Sequence, residues 1–221
     1  MLSIIIPTLN AGSCLAETLK ACASPEAEII ICDGGSTDHT CEIAIEMGAK
    51  VTTTEPGRGG QLAKGANMAT GDWFLFLHAD SILGDGWKPI VDRFTANPNY
   101  KFRTGVFHLK LDDSAPQARR VEWWANLRTK ALALPYGDQG LLISRSYYEG
   151  LGGFRPIPLM EDVDFIRRIG RAHLQVLPSH ITTSAERYKR GGYWMRPLRN
   201  LSLLSLYFLG MPPKLLVKLY Q

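Results

Sequence analysis

Glu28-Ile29-Ile30-Ile31-Cys32, running into Asp33-Gly34-Gly35-Ser36-Thr37-Asp38, decides the fold. A short β-branched run without polar alternation suits a strand buried on both faces, and an acid followed by two glycines stops it. Thr37 or Asp38 then caps a helix that runs through Met47 and ends at Gly48.

The same grammar recurs on either side. Leu2-Ser3-Ile4-Ile5-Ile6 is an apolar run closed by Pro7, and Asn10 and Ser13 offer caps to a helix over Cys14–Ala23. Residues 49–53 make a third strand. Gly57-Arg58-Gly59-Gly60 forms a turn before another helix, and 72–77 is a fourth strand. Such strand–helix alternation predicts an α/β fold with a mainly parallel, Rossmann-like sheet covered by helices on both faces. Ligands bind such sheets at the carboxyl ends of their strands, where Pro7–Asn10, Asp33–Asp38 and His78–Asp80 all fall.

The second half is less regular. Strands are expected at 102–111, 141–144 and 175–177, and helices at 117–134 and 161–171. Two further helices, broken at Pro212-Pro213, complete the chain. No linker separates the halves, so the 221 residues read as one domain. Residues 1–100 form a ligand-binding half, 101–190 a second half, and 191–221 a basic, apolar helical tail.

From Ile181 onward seven basic residues face one acid, which leaves the rest of the chain net acidic. Such a tail suits phosphate-bearing ligands, nucleic acid or an anionic membrane surface, or is a solvated basic face. Residues 200–213 are apolar but too short for a span, so membrane contact would be peripheral. Cys14, Cys22, Cys32 and Cys41 form no C-x-x-C pair and no zinc spacing, and read as reduced structural thiols. No basic leader precedes the first strand, which points to a cytoplasmic protein.

Two nucleotide fingerprints are absent. No G-x-G-x-x-G follows the first strand, which argues against a dinucleotide-dependent oxidoreductase. Gly60 to Gly65 has P-loop glycine spacing, but Ala66 and Asn67 stand where Lys and Ser/Thr are required.

Three acidic segments remain. Asp33 at a strand end is either a turn residue or an acceptor for a base N–H or a ribose hydroxyl. Asp80, in His78-Ala79-Asp80, either caps a following helix or offers carboxylate oxygen to a hard divalent cation. Glu161, Asp162 and Asp164 either answer a helix dipole or supply a proton acceptor to a reacting hydroxyl.

In order and spacing, residues 4–10, 33–38, 71–80, Gly152-Gly153-Phe154 and Glu161-Asp162 resemble family two glycosyltransferases of the GT-A fold. Gly57-Arg58-Gly59, the segment 134–139 and Pro158-Leu159-Met160-Glu161-Asp162 resemble a bacterial subgroup labelled arsenosugar-biosynthesis glycosyltransferases. The resemblance implies a single GT-A domain and an inverting transfer from a nucleoside-diphosphate sugar to an acceptor hydroxyl or phosphate, assisted by Mg²⁺ or Mn²⁺. Pro7, Asn10 and Asp33 would line the nucleoside pocket, and Arg58 would reach the base or phosphates. His78-Ala79-Asp80 stands at the family's D-x-D, with Asp80 as metal ligand and His78 in place of the first aspartate. Asp162 matches the catalytic base, with Glu161 beside it as a substitute. The late Q-x-x-R-W motif is only echoed in Glu186-Arg187-Tyr188, so Arg187 becomes a diphosphate contact. His180 is either a further ligand or a surface histidine.

The acceptor is a small molecule or lipid-linked, the latter placing the tail at the inner face of the membrane; no nucleic-acid partner is expected. A non-catalytic nucleotide-sugar-binding protein and a metal-dependent nucleotidyltransferase are the alternative readings.

Overall fold

The structure, a computed structural model, describes residues 1–220. Eight strands form one mixed sheet: β1 (Leu2–Thr8), β2 (Ala27–Asp33), β3 (Lys50–Thr53), β4 (Trp73–Phe76), β5 (Ser81–Leu83), β6 (Thr104–Leu111), β7 (Leu141–Ser144) and β8 (Leu174–Thr183). Their order across the sheet is β3-β2-β1-β4-β7-β6-β8-β5. Strands β3, β2, β1 and β4 are mutually parallel, β7 runs against both its neighbours, and β5 runs against β8. The mainly parallel, Rossmann-like sheet expected from the first half is therefore present.

The apolar strands alternate between two cores. Ile4 and Ile6 of β1 face Leu15 and Leu19 of α1 (Leu15–Cys22) and Val91 and Phe94 of α4 (Trp87–Thr95). Ile5 faces the other way, against Leu62 and Ala66 of α3 (Arg58–Met68) and Phe165 and Ile166 of α7 (Glu161–Ile169). Both strand faces are dry, which is why the runs lack polar alternation. Helix α2 (Thr40–Glu46) ends at Gly48, whose φ of +79° suits glycine. Asp38 accepts the N–H of Thr40 at the start of that helix.

Several expectations are corrected. No side chain caps α1; Asn10 instead sits at φ +50° and accepts the N–H of Thr37, tying the loop after β1 to that after β2. Gly59 and Gly60 lie inside the first turn of α3 rather than in a turn before it. Strand β8 is ten residues long where three were expected, because a register shift opposite Val106–His108 accommodates Pro178. Short β5, α4 and α6 (Arg145–Gly150) were not anticipated.

Helix α5 (Pro116–Leu132) packs on β6, and α8 (Glu186–Gly191), α9 (Met195–Phe208) and α10 (Pro213–Tyr220) complete the chain, three helices where two were expected, with the break before the last at Pro212-Pro213 as expected. Leu203, Leu204 and Leu216 bury the inner side of the last two helices. No helix among the described residues is long and apolar enough to cross a membrane. All four cysteines are free thiols.

Candidate active site

The order of strands reverses between β1 and β4: from β1 the chain builds outward to β2 and β3, then returns to place β4 on the opposite side. A crevice opens at such a point, beyond the strands' carboxyl ends. Here it is a cavity of about 590 Å³, within the range of small-molecule sites.

Antiparallel pairing delivers the second half to this crevice. Phe76 of β4 faces Leu141 of β7, so the segment just before β7 meets the segment just after β4. Ser81 of β5 faces Thr183 of β8, which brings the start of α8 beside Asp80. Pro7, Asn10, Arg58, His78, Asp80, Glu161, Asp162 and Arg187 consequently all line one cavity.

Asp33 is the exception. It is 1% exposed and lies beneath the cavity wall. Its carboxylate accepts hydrogen bonds from the Thr8 and Ser36 hydroxyls and from the Gly35 and Ser36 N–H groups. Burial works to raise its pKa, but these donors outweigh it and hold the carboxyl below its ordinary value. In the structure Asp33 thus organises the loop between β2 and α2.

The three acids opening α7 have separate fates. Asp164 forms ion pairs with Arg155 and Arg168, at 3.2 and 2.8 Å. Glu161 is 3% exposed and pairs with Arg58 at 3.2 Å. Burial and the neighbouring Asp162 push the Glu161 carboxyl up, against the pull of Arg58. Asp162 has no ion pair among the described residues. It accepts the N–H of Gly137 at 2.9 Å and that of Val163 at 2.8 Å, which orients it without neutralising it.

His78 is held neutral, because burial and the positive charges of Arg58 and Arg187 lower its pKa well below the ordinary value. Its ring packs on Gly137, where a β-carbon would approach Nε2 to 2.6 Å. No helix follows Asp80; β5 does, which removes the helix-cap reading. The Asp80 carboxylate accepts no hydrogen bond among the described residues, while Thr18 secures the adjoining loop by donating to the Ala79 carbonyl at 2.7 Å. His180 lies away from the cavity, its ring against Gly84.

Some participants escaped sequence reasoning. Gln61 of α3 donates to the Thr8 and Cys32 carbonyls at 2.8 and 2.7 Å, locking the ends of β1 and β2. Asp138 enters the cavity from the turn before β7; the segment 134–139 carried part of the family resemblance, but no role was read for this acid. Arg196, Asn200, Leu203, Val217 and Tyr220 show that the tail forms one wall of the site; a basic, apolar helix carries no mark of that.

The arrangement combines three arginines with four carboxylates, suited to a ligand that is anionic at one end and hydroxyl-rich at the other. Among the described residues no three His, Cys, Asp or Glu side chains converge on a metal site. Asp80 could therefore supply only part of a cation's coordination, with ligand oxygens completing it.

The family model for glycosyl transferase family 2 matches residues 3–142. A PGL/p-HBAD biosynthesis glycosyltransferase of Mycobacterium bovis (strain BCG / Pasteur 1173P2) is 39% identical over 93 residues, 38% of this chain and 36% of that protein. An uncharacterized glycosyltransferase of Rickettsia felis is 30% identical over 112 residues, 50% of this chain and 39% of its own length. The chain thus spans little more than a third of the length of these relatives. Among solved structures, S. aureus TarS 1-349 superposes with a TM-score of 0.64 at 17% identity, over 84% of this chain and 61% of that one. The mannosyltransferase PcManGT from Pyrobaculum calidifontis does so at 0.61 and 17%, over 82% and 56%. At such identities the superpositions establish the fold, and the sequence match, which covers both strand-end segments of the crevice, establishes the lineage: the chain belongs to glycosyl transferase family 2.

Proposed function

We propose that this protein transfers a sugar, with inversion, from a nucleoside-diphosphate donor to an acceptor hydroxyl or phosphate. The observation that carries this reading is that Asp162, the one acid of its trio left without a cation, shares a cavity with Asp80, Arg58 and Arg187. Solved relatives of the fold are described with UDP, with UDP-GlcNAc, and with GDP-Man and Mn²⁺.

Asp162 takes the proton of the acceptor O–H as that oxygen bonds to the anomeric carbon. The anomeric carbon–oxygen bond to the diphosphate breaks on the opposite face, and the electron pair leaves with the nucleoside diphosphate. Arg58 and Arg187, with the N-terminus of α3 in the same wall, stabilise the charge that develops there. Pro7 and Asn10, backed by the loop that Asp33 braces, hold the nucleoside.

A carboxylate with free oxygens beside phosphate oxygens fits a hard divalent cation, so Asp80 would hold Mg²⁺ or Mn²⁺ with neutral His78 adjacent. Such an ion, when bound, neutralises charge on the leaving diphosphate. A thermal-shift panel of nucleoside diphosphates and their sugars, with Mn²⁺, Mg²⁺ or EDTA, tests the reading. Stabilisation that requires the metal is expected, and no shift with any nucleotide overturns it.

A lipid-linked acceptor is favoured over a soluble alcohol by the outer side of α9 and α10. Leu198, Leu201, Phe208, Leu209, Leu215 and Leu219 are exposed there, interspersed with Arg199, Lys214 and Lys218.

A further inference from the structure

One carboxylate in the cavity has no part in the chemistry above. Asp138 sits in a short 3₁₀ turn, Gly137–Gln139, between the β4–β7 pairing and α5. The turn is fixed from both sides. Gln139 donates to the Phe107 carbonyl at 3.0 Å and accepts from Thr129 at 2.6 Å, while Gly137 donates to Asp162. On the preceding side Arg128 stacks on Tyr136 at 3.5 Å from its ring centre and donates to the Leu134 carbonyl.

This rigid turn presents an acceptor with nothing to accept from. Oδ1 of Asp138 is buried and has no hydrogen-bond partner among the described residues. Arg128, whose Nη2 is likewise buried and unpartnered, makes no ion pair with it. A buried carboxylate oxygen left unpaired is costly, so such a group in a cavity wall marks a place where a ligand supplies the donor.

Its position says which part of the ligand. Asp138 lines the same cavity as Asp162 and Asp80, and its turn donates the N–H that orients Asp162. If Asp80 marks the diphosphate and Asp162 the attacking oxygen, the group between them is the sugar in transit. A sugar's hydroxyls are donors, and an unpaired carboxylate is the acceptor that suits them.

We propose that Asp138 accepts hydrogen bonds from hydroxyls of the sugar being transferred, and so selects which sugar the donor carries. This rests on the glycosyl-transfer reading and adds a specificity-determining residue to it. Burial and the repulsion of Asp162 and Asp80, against the attraction of Arg128, raise its pKa to about 6, so it remains an ionised acceptor at pH 8.

The test compares wild type with Asp138→Asn and Asp138→Ala by isothermal titration with Mn²⁺ at pH 8. The ligands are UDP and GDP against UDP-glucose, UDP-galactose, UDP-GlcNAc and GDP-mannose; melting curves verify folding. Both variants are expected to bind the free diphosphate as wild type does, but to lose roughly 10–100-fold in affinity for the nucleotide sugar, as befits loss of a charged hydrogen bond. Equal weakening of diphosphate and sugar conjugate makes Asp138 a metal or phosphate group and overturns the proposal. Unchanged affinity for both overturns it as well. A wild-type protein that binds no nucleotide at all removes the transfer reading first, and this inference with it.

Discussion

Asp162 and Asp138 are two carboxylates about one turn, and their surroundings give them different work. Asp162 accepts two backbone N–H groups and has no ion pair among the described residues, which suits a base. Replacing it with Asn keeps the shape and removes the proton acceptor. Asp162→Asn is expected to lower kcat by roughly 10²–10⁴-fold with little change in nucleotide affinity, measured by initial rates and titration. Asp138 instead carries an unmet acceptor, and its folded pKa of about 6 stands above the unfolded value of about 3.9. Between those values the folded state keeps a proton that the unfolded chain has lost, so stability falls as pH rises through about 4 to 6. Asp138→Asn has no proton to lose and escapes this penalty. Denaturant titration in EDTA should find the variant gaining on wild type across that window, by at most about 3 kcal/mol, with a constant difference above about pH 7. Glu161 shows why sequence adjacency is a poor guide to role: it neighbours Asp162 in the chain, yet it is buried as the anchor of Arg58.

Helix α3 meets the 154–161 loop through glycine, and its two neighbouring glycines differ in a way that can be measured. A β-carbon on Gly59 would fall 2.2 Å from the Arg155 carbonyl oxygen, a backbone atom that cannot step aside cheaply, whereas one on Gly60 would have only Pro156 at 4.0 Å. Both lie inside the helix, where alanine outranks glycine by about 1 kcal/mol. Gly60→Ala should therefore raise stability by up to about 1 kcal/mol. Gly59→Ala should lower it by roughly 1–3 kcal/mol, since overpacking exceeds the propensity gain. It should also weaken nucleotide binding, because Arg58 and Glu161 meet across that contact; urea titration and calorimetry distinguish the two variants. At the same scale, α9 and α10 serve two purposes. Leu203 and Leu216 are buried and Tyr220 lines the cavity, while Leu209 is 84% exposed on the opposite side. Leu209→Glu with Leu219→Glu should reduce flotation with anionic vesicles without lowering Tm. Unchanged flotation, or none by wild type, would favour a soluble acceptor.

At the scale of the molecule, the cavity exists because a parallel half-sheet is extended by strands that run the other way. The first half was legible in the sequence for a physical reason: strands buried on both faces need unbroken β-branched runs, and Ile4-Ile5-Ile6 and Ile29-Ile30-Ile31 leave no other reading. Those runs also fix where the ends fall, so Pro7, Asn10 and His78–Asp80 could be placed at the crevice from periodicity and topology. Ends do not reveal what their side chains touch. Asp33 stands at a strand end as expected, and its carboxylate is spent on Thr8, Gly35 and Ser36. The second half was harder, because its short strands pair with partners distant in sequence. Phe76 against Leu141 and Ser81 against Thr183 are matches of register that no local propensity encodes. The sequence by itself determined the parallel half-sheet, its two dry faces and the acids and arginines available to a phosphate-bearing ligand. The tertiary structure alone decided that Asp138 shares one cavity with Asp80 and Asp162, that Glu161 pairs with Arg58, and that the basic tail forms a wall of the site, because each depends on which distant backbone edge a strand or helix finds.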